Sequence, residues 1–204
     1  QSGTVATDSA VDYTVKVDVT GLQPDSWYYY QFDYNGDKSL IGRTKTLPVG
    51  NNTRVRIAVA SCARYGGGDF YNPYREIGSR NDLQAVAFLG DYIYEGSGGV
   101  SGRGIQVLPT HEIITLEDYR QRYYTYRLDP DIRTAHQQYP FYNVWDDHET
   151  ANDSWVGGAE GHDTASDGNW AVRKANGQQA FFEWLPIRPK APGNYSIYRS
   201  FHIG

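Results

Sequence analysis

Residues 11–19 read VDYTVKVDV, with Val11, Tyr13, Val15, Val17 and Val19 alternating with Asp12, Thr14, Lys16 and Asp18. Period two with β-branched residues predicts a half-buried antiparallel strand. A turn over 21–26 leads to a second, aromatic-rich strand at 27–34, a hairpin turn at Asn35-Gly36, and a third short strand at 40–46. The Pro/Gly/Asn run 47–53 (LPVGNNT) reads as a linker, and the pattern changes after it. Segments 55–60 and 85–89 are continuous apolar runs, which predict strands buried on both faces of a sheet. A third apolar strand is expected at 141–145. Helices are expected at 72–80, at 116–128 with Leu116, Tyr119, Tyr123 and Tyr126 near helical spacing, and at 169–185, ended by Pro186. Asp129-Pro130 reads as N-cap and first residue of another short helix. A last strand is expected at 196–203. Alternating strands and helices predict an α/β fold, an open layered sheet with helices on it, preceded by a β-rich segment.

Composition narrows this little. The chain has 204 residues, 39% hydrophobic and 15% aromatic, which fits a globular protein. Net charge is −5 and the 19 basic residues are scattered, so no nucleic-acid-binding surface is evident. No apolar run is long enough to span a membrane. One Cys excludes an internal disulfide framework. Met is absent even at position 1, and the last predicted strand has no partner after it; both read as a processed product or a piece of a longer chain. The stretch Leu22-Gln-Pro24-Asp-Ser-Trp-Tyr28 resembles the tyrosine corner of fibronectin type III-like β-sandwiches, of which only about three strands are expected here. That context assigns the aromatic stretch 27–30 to sandwich packing rather than carbohydrate stacking.

Candidate chemistry lies where the buried strands end, because ligands of open α/β sheets sit outside the strands' carboxyl ends. Ser61-Cys62 follows the first, Gly90-Asp91-Tyr92-Ile93-Tyr94-Glu95 the second, and Asp146-Asp147-His148-Glu149 the third, with Asn152 and Asp153 close behind. A thiolate, a phenolate and carboxylates suit a hard trivalent cation such as ferric iron. Carboxylates with an Asn amide oxygen suit calcium or another hard divalent ion. Two ions about 4 Å apart clamp a phosphoryl group for in-line attack by a metal-bound hydroxide. Adjacent Asp146 and Asp147 repel each other unless a cation sits there. Arg64 reads equally as a phosphate donor or a surface ion pair. The Gly66-Gly67-Gly68-Asp69 loop lacks the rest of a P-loop and reads as a flexible turn. His111, His136, His162 and His202 read as structural or surface residues.

The strand-end motifs, together with Glu112-Ile-Ile-Thr-Leu-Glu-Asp-Tyr-Arg120, resemble PhoD-type alkaline phosphatases, secreted enzymes of the calcineurin-like metallophosphoesterase superfamily. The resemblance implies that residues 1–47 are the end of an N-terminal β-sandwich, 48–53 a linker, and 54–204 the N-terminal half of a metallophosphatase domain. It makes Cys62, Asp91 and Tyr94 ligands of Fe3+, with Asp91 bridging to Ca2+. It makes Asn152 a calcium ligand and leaves the choice between Asp146 and Asp147 open. It gives His148 contact with the transferring phosphoryl group. The family's later Gly-Asp-x-His motif, which supplies further ligands, has no counterpart in these residues. The implied activity is hydrolysis of phosphate mono- and diesters by a monomer, secreted or periplasmic. The alternative expectation is an inactive or truncated binding protein that uses the sandwich and α/β remnant.

Overall fold

The computed structural model describes residues 1–52, 54–191 and 193–203. Its elements in chain order are β1 (Trp27–Tyr30), β2 (Asp33–Tyr34), β3 (Asp37–Lys38), β4 (Gly42–Lys45), β5 (Ile57–Ala60), α1 (Asn72–Ser79), β6 (Ala85–Phe88), α2 (Leu116–Tyr126), α3 (Pro130–Gln138), β7 (Phe141–Asn143), α4 (Thr164–Asp167) and α5 (Trp170–Trp184). Residues 48–52 of the expected linker carry no helix or strand; its last residue, Thr53, lies outside the described residues.

The first 47 residues hold two small antiparallel ladders, β1 with β4 and β2 with β3. Asn35 and Gly36 turn the β2–β3 hairpin at φ 53° and 95°, the left-handed pair that such a turn needs. The Gln23 N–H donates to the Tyr28 hydroxyl at 2.8 Å, the local bond expected of a tyrosine corner. The strand predicted at 11–19 does not form. A short 3-10 turn occupies Ser9–Val11, and no ladder partner flanks the segment among the described residues. Alternation marks a chain that can pair, but a strand needs a neighbour. Here the segment runs as a strap on the end of α5. Lys16 Nζ donates to the carbonyls of Phe182 and Glu183, which the helix end leaves free. Trp184 Nε1 donates to Asp12 at 2.9 Å, and Arg188 pairs with Asp18 at 2.6 Å.

In the α/β part, β5, β6 and β7 form a parallel sheet in that order. Helical segments join consecutive strands, as parallel pairing demands. Val86, Phe88 and Phe141 enter a core shared with Tyr74 of α1, Tyr119, Tyr123 and Tyr126 of α2, Ile132 of α3 and Phe181 of α5. The other face is more open: Val59 is 65% and Leu89 53% exposed. The central strand β6 is buried or half-buried on both faces as expected, and the expectation is corrected at β5, an edge strand with a neighbour on one side only among the described residues. The strand expected at 196–203 is also absent; Phe201 packs instead against Tyr142, with ring centroids 4.3 Å apart.

Helix starts follow their capping chemistry. Thr115 and Asp118 form a reciprocal capping box on α2, Asp129 caps α3 with Pro130 behind it, and Asn169 caps α5. Tyrosines fill the core, and their hydroxyls tie it to the loops at the sheet edge. Tyr71 donates to the Ala63 carbonyl at 2.6 Å, and Tyr119 donates to the Thr150 carbonyl. Mid-helix, α5 presses Gly177 onto the same edge: a Cβ there would stand 2.5 Å from the Glu149 carbonyl oxygen.

That contact reverses an ordinary expectation. Gly→Ala inside a helix usually stabilises by about 1 kcal/mol. Gly177→Ala is expected instead to cost about 1–3 kcal/mol, as overpacking does. A melting curve checks it; an unchanged or higher midpoint would show that α5 is not seated on this loop.

Candidate metal centre

Parallel strands deliver their carboxyl ends to one edge, so the loops after β5, β6 and β7 meet there. They are bonded to one another through the backbone. The Cys62 N–H donates to the Gly90 carbonyl at 3.1 Å and the Ala63 N–H to the Asp91 carbonyl at 2.8 Å, joining the first two loops. The second and third are joined by Glu149, whose carboxylate accepts from the N–H groups of Asp91 (3.1 Å), Tyr92 (2.5 Å) and Asp146 (2.9 Å). Cys62 and Asp91 both sit in the left-handed region, at φ 57° and 58°. Such conformations cost free energy and persist where neighbouring bonds enforce them, typically at functional sites. Gly90 is required by its surroundings: φ is +104°, and a Cβ would lie 2.4 Å from the Asp146 nitrogen.

On this frame the side chains converge. Cys62 Sγ and the Tyr94 hydroxyl each lie 3.4 Å from Asp91 Oδ2. Asp91, Asp147 and His148 offer ligand atoms that all lie within 4.8 Å of one another. His148 Nδ1 is 2.6 Å from Glu95 Oε2, which leaves Nε2 as the free ring nitrogen, and the ring packs on Tyr94 at 4.1 Å between centroids. The other Glu95 oxygen accepts from the Asn152 N–H at 2.7 Å. The Asp153 N–H donates to Asp147, so the 152–153 segment is fastened to the cluster twice.

Electrostatics follow from crowding. Burial and the nearby Asp91 and Cys62 push the Tyr94 phenol above its ordinary range. Burial, with the charges of Asp91 and Asp147, raises the Asp146 carboxyl. Burial alone would lower His148, but the hydrogen bond and charge of Glu95 outweigh it and raise the imidazole. Burial likewise opposes ionisation of Glu95, yet the bonds from His148 and Asn152 bring it below the usual range. Glu149 is pushed up to about 7 by burial, against the pull of its three N–H donors.

These residues fit a metal ion. The buried Asp91 Oδ1 has no hydrogen-bond partner among the described residues, although a buried carboxylate oxygen normally has one. A thiol, a phenol and an imidazole stand around it with a second carboxylate, the donor set of a transition-metal site with hard-cation capacity. Cys62, Asp91, Tyr94, Asp147 and His148 thus come together. Asp147 is inside the cluster, while Asp146 is exposed beside it. Asn152 joins through its backbone, and its side-chain amide donates to Glu160. Arg64 is exposed, with no ion-pair partner among the described residues. Sequence reasoning assigned no role to Glu95 or Glu149. Both stood in the strand-end motifs, but only the folded loops show which groups they reach.

Residues 57–204 match the family model described as PhoD-like phosphatase, and residues 1–48 match that of the PhoD-like phosphatase N-terminal domain. The chain is 35% identical over 213 residues to alkaline phosphatase D of Bacillus subtilis (strain 168), covering all of this chain and 36% of that protein. A solved structure, described as the structure of PhoD, superposes with a TM-score of 0.85 at 35% identity, over 96% of this chain and 38% of the other. The chain therefore spans little more than a third of the relatives that it matches.

The Glu95–His148 pair yields a pH prediction. His148 is raised by Glu95, so its proton is held above the ordinary imidazole range and released as pH rises through the shifted value. Glu95→Gln removes the charge and is expected to lower the pH at which His148 deprotonates. NMR titration of the His148 ring in metal-free protein reads this directly; an unmoved midpoint would mean that the pair is not formed in solution.

Proposed function

The chain belongs to the PhoD-like phosphatase family, and on that premise we propose that it carries much of the metal centre of a phosphoric ester hydrolase acting on phosphate mono- and diesters. In this reading residues 1–47 are the closing strands of an N-terminal β-sandwich, and 54–204 are the first half of the metallophosphatase domain. The observation that carries it is the partnerless, buried Asp91 carboxylate oxygen, with Cys62 and Tyr94 at 3.4 Å from its twin and Asp147 and His148 in reach. A buried carboxylate with an unpartnered oxygen beside a second carboxylate is costly unless a cation meets it.

Cys62, Asp91 and Tyr94 would hold Fe3+, and Asp91, Asp147 and Asn152 would hold Ca2+. When bound, these ions supply Lewis acidity, neutralising phosphoryl-oxygen charge and acidifying water. The protein's own groups then position and protonate. His148, fixed at Nδ1 by Glu95, presents Nε2 to the ester, and that carboxylate raises the proton affinity of the ring, which favours donation toward the leaving oxygen. Arg64, free of an ion pair among the described residues, is available to a phosphate oxygen. Asp146 adds negative charge beside Asp147 and favours a divalent cation there. A secreted or periplasmic location goes with this reading. Among the described residues no helix is long and apolar enough to cross a membrane.

In the protein at its natural length, Asp91→Asn is expected to lower bound metal and to cut hydrolysis of p-nitrophenyl phosphate and bis-p-nitrophenyl phosphate by on the order of 10²-fold or more. Cys62→Ala should lose iron while keeping calcium, as read by elemental analysis. Unchanged metal content and turnover in both variants would sink the proposal; unchanged iron in Cys62→Ala alone would remove Cys62 from the ligand set.

A further inference from the structure

Glu149 stands out among buried groups that the mechanism above leaves unused. It is 1% exposed, yet it carries a carboxylate. Burying a carboxylate is expensive unless its oxygens are satisfied. Here they are: Oε2 accepts from the Asp91 and Asp146 N–H groups, and Oε1 accepts from Tyr92. None of these donors is a side chain. All three are backbone groups of the two loops that present Asp91 and Asp147. Glu149 is therefore a splint between loops.

The splint acts at the strained point. Asp91 has a positive φ, and Asp146 approaches so closely that position 90 has no room for a Cβ. A left-handed Asp relaxes unless its N–H is held. One carboxylate fixes the N–H of Asp91, that of the residue after it, and the first N–H of the Asp146-Asp147 pair. Two elements clamp the splint in turn: the Glu149 carbonyl lies under Gly177 of α5, and the following residue's carbonyl accepts from Tyr119 of α2.

We propose that Glu149 is a positioning residue of the metal centre: by accepting three backbone N–H bonds it holds Asp91 in its left-handed conformation and sets the spacing between Asp91 and Asp147. The proposal rests on the reading of these residues as metal ligands. Glu149 itself stands outside the group of converging ligand atoms, and its oxygens face backbone donors.

The test uses the protein at its natural length. Glu149→Gln is isosteric, but it turns an NH2 group toward either Tyr92 or the Asp91/Asp146 pair, setting donor against donor. In variant protein whose circular dichroism matches wild type, calcium affinity by isothermal titration should fall by about 10–100-fold. For p-nitrophenyl phosphate, kcat should fall while KM changes little. A folded Glu149→Gln variant with wild-type calcium affinity and kcat overturns the proposal. Should the variant not fold, amide exchange in the wild type decides. Slow exchange at Asp91, Tyr92 and Asp146 supports the splint, and exchange as fast as in exposed loops overturns it. Asp91→Asn separates the two levels. If it leaves calcium affinity intact, the metal-centre reading fails and this proposal with it. If it abolishes binding while folded Glu149→Gln does not weaken it, the positioning role alone falls.

Discussion

Three loops must be held edge to edge at the ends of β5, β6 and β7, although two of them carry carboxylates that repel. Everything else at this edge depends on that constraint. The contact between Gly90 and Asp146 is too close for any side chain at position 90, and it sets the distance between two carboxylate-bearing loops. Backbone bonds from Cys62 and Ala63 to the second loop, and from the second and third loops to Glu149, oppose the repulsion. Left-handed backbone at Cys62 and Asp91 is the local cost of this arrangement.

The same solution recurs further out, where buried charge holds irregular chain. Arg122 is 1% exposed and has no carboxylate partner among the described residues. Its guanidinium donates to the carbonyls of Tyr94, Leu108, Pro109 and His111. One side chain thereby satisfies the backbone of the long loop that begins at the Gly90–Glu95 motif. Arg173 does related work from α5, with Glu112 at 2.6 Å and the Tyr119 hydroxyl at 3.5 Å. Buried polar groups of this kind are expensive unless fully paired, and here the pairing turns loops into a rigid rim. The N-terminal strap is fixed by the same means, a lysine capping the free carbonyls at the end of α5.

Helices and the hairpin turn were legible in the sequence because their determinants are local. Asp129-Pro130, Thr115 with Asp118, Asn169 and Asn35-Gly36 each act within a few residues, and the structure has each element in its place. Segments 11–19 and 196–203 were misread for the opposite reason. Both have strand-like composition, but pairing is non-local, and among the described residues neither finds a ladder partner. Apolar runs at β5 and β6 suggested burial on both faces. The central strand β6 is buried so, but Val59 on the edge strand β5 and Leu89 beyond the end of β6 are open, and no periodicity records which strand lies at an edge.

For the site, the sequence by itself determined the residue types and their order: a thiol, a Gly-Asp pair and an Asp-Asp-His-Glu run, each after an apolar strand. That sufficed for the family and for most of the cluster, since parallel strands must bring their carboxyl ends to one edge. Only the tertiary structure put Asp147 rather than Asp146 within reach of Asp91 and His148, gave His148 its Glu95 partner and turned Glu149 inward onto three backbone N–H groups. Those assignments depend on distances between residues more than 50 positions apart and on backbone angles at single positions. Hydrophobic pattern carries no record of either.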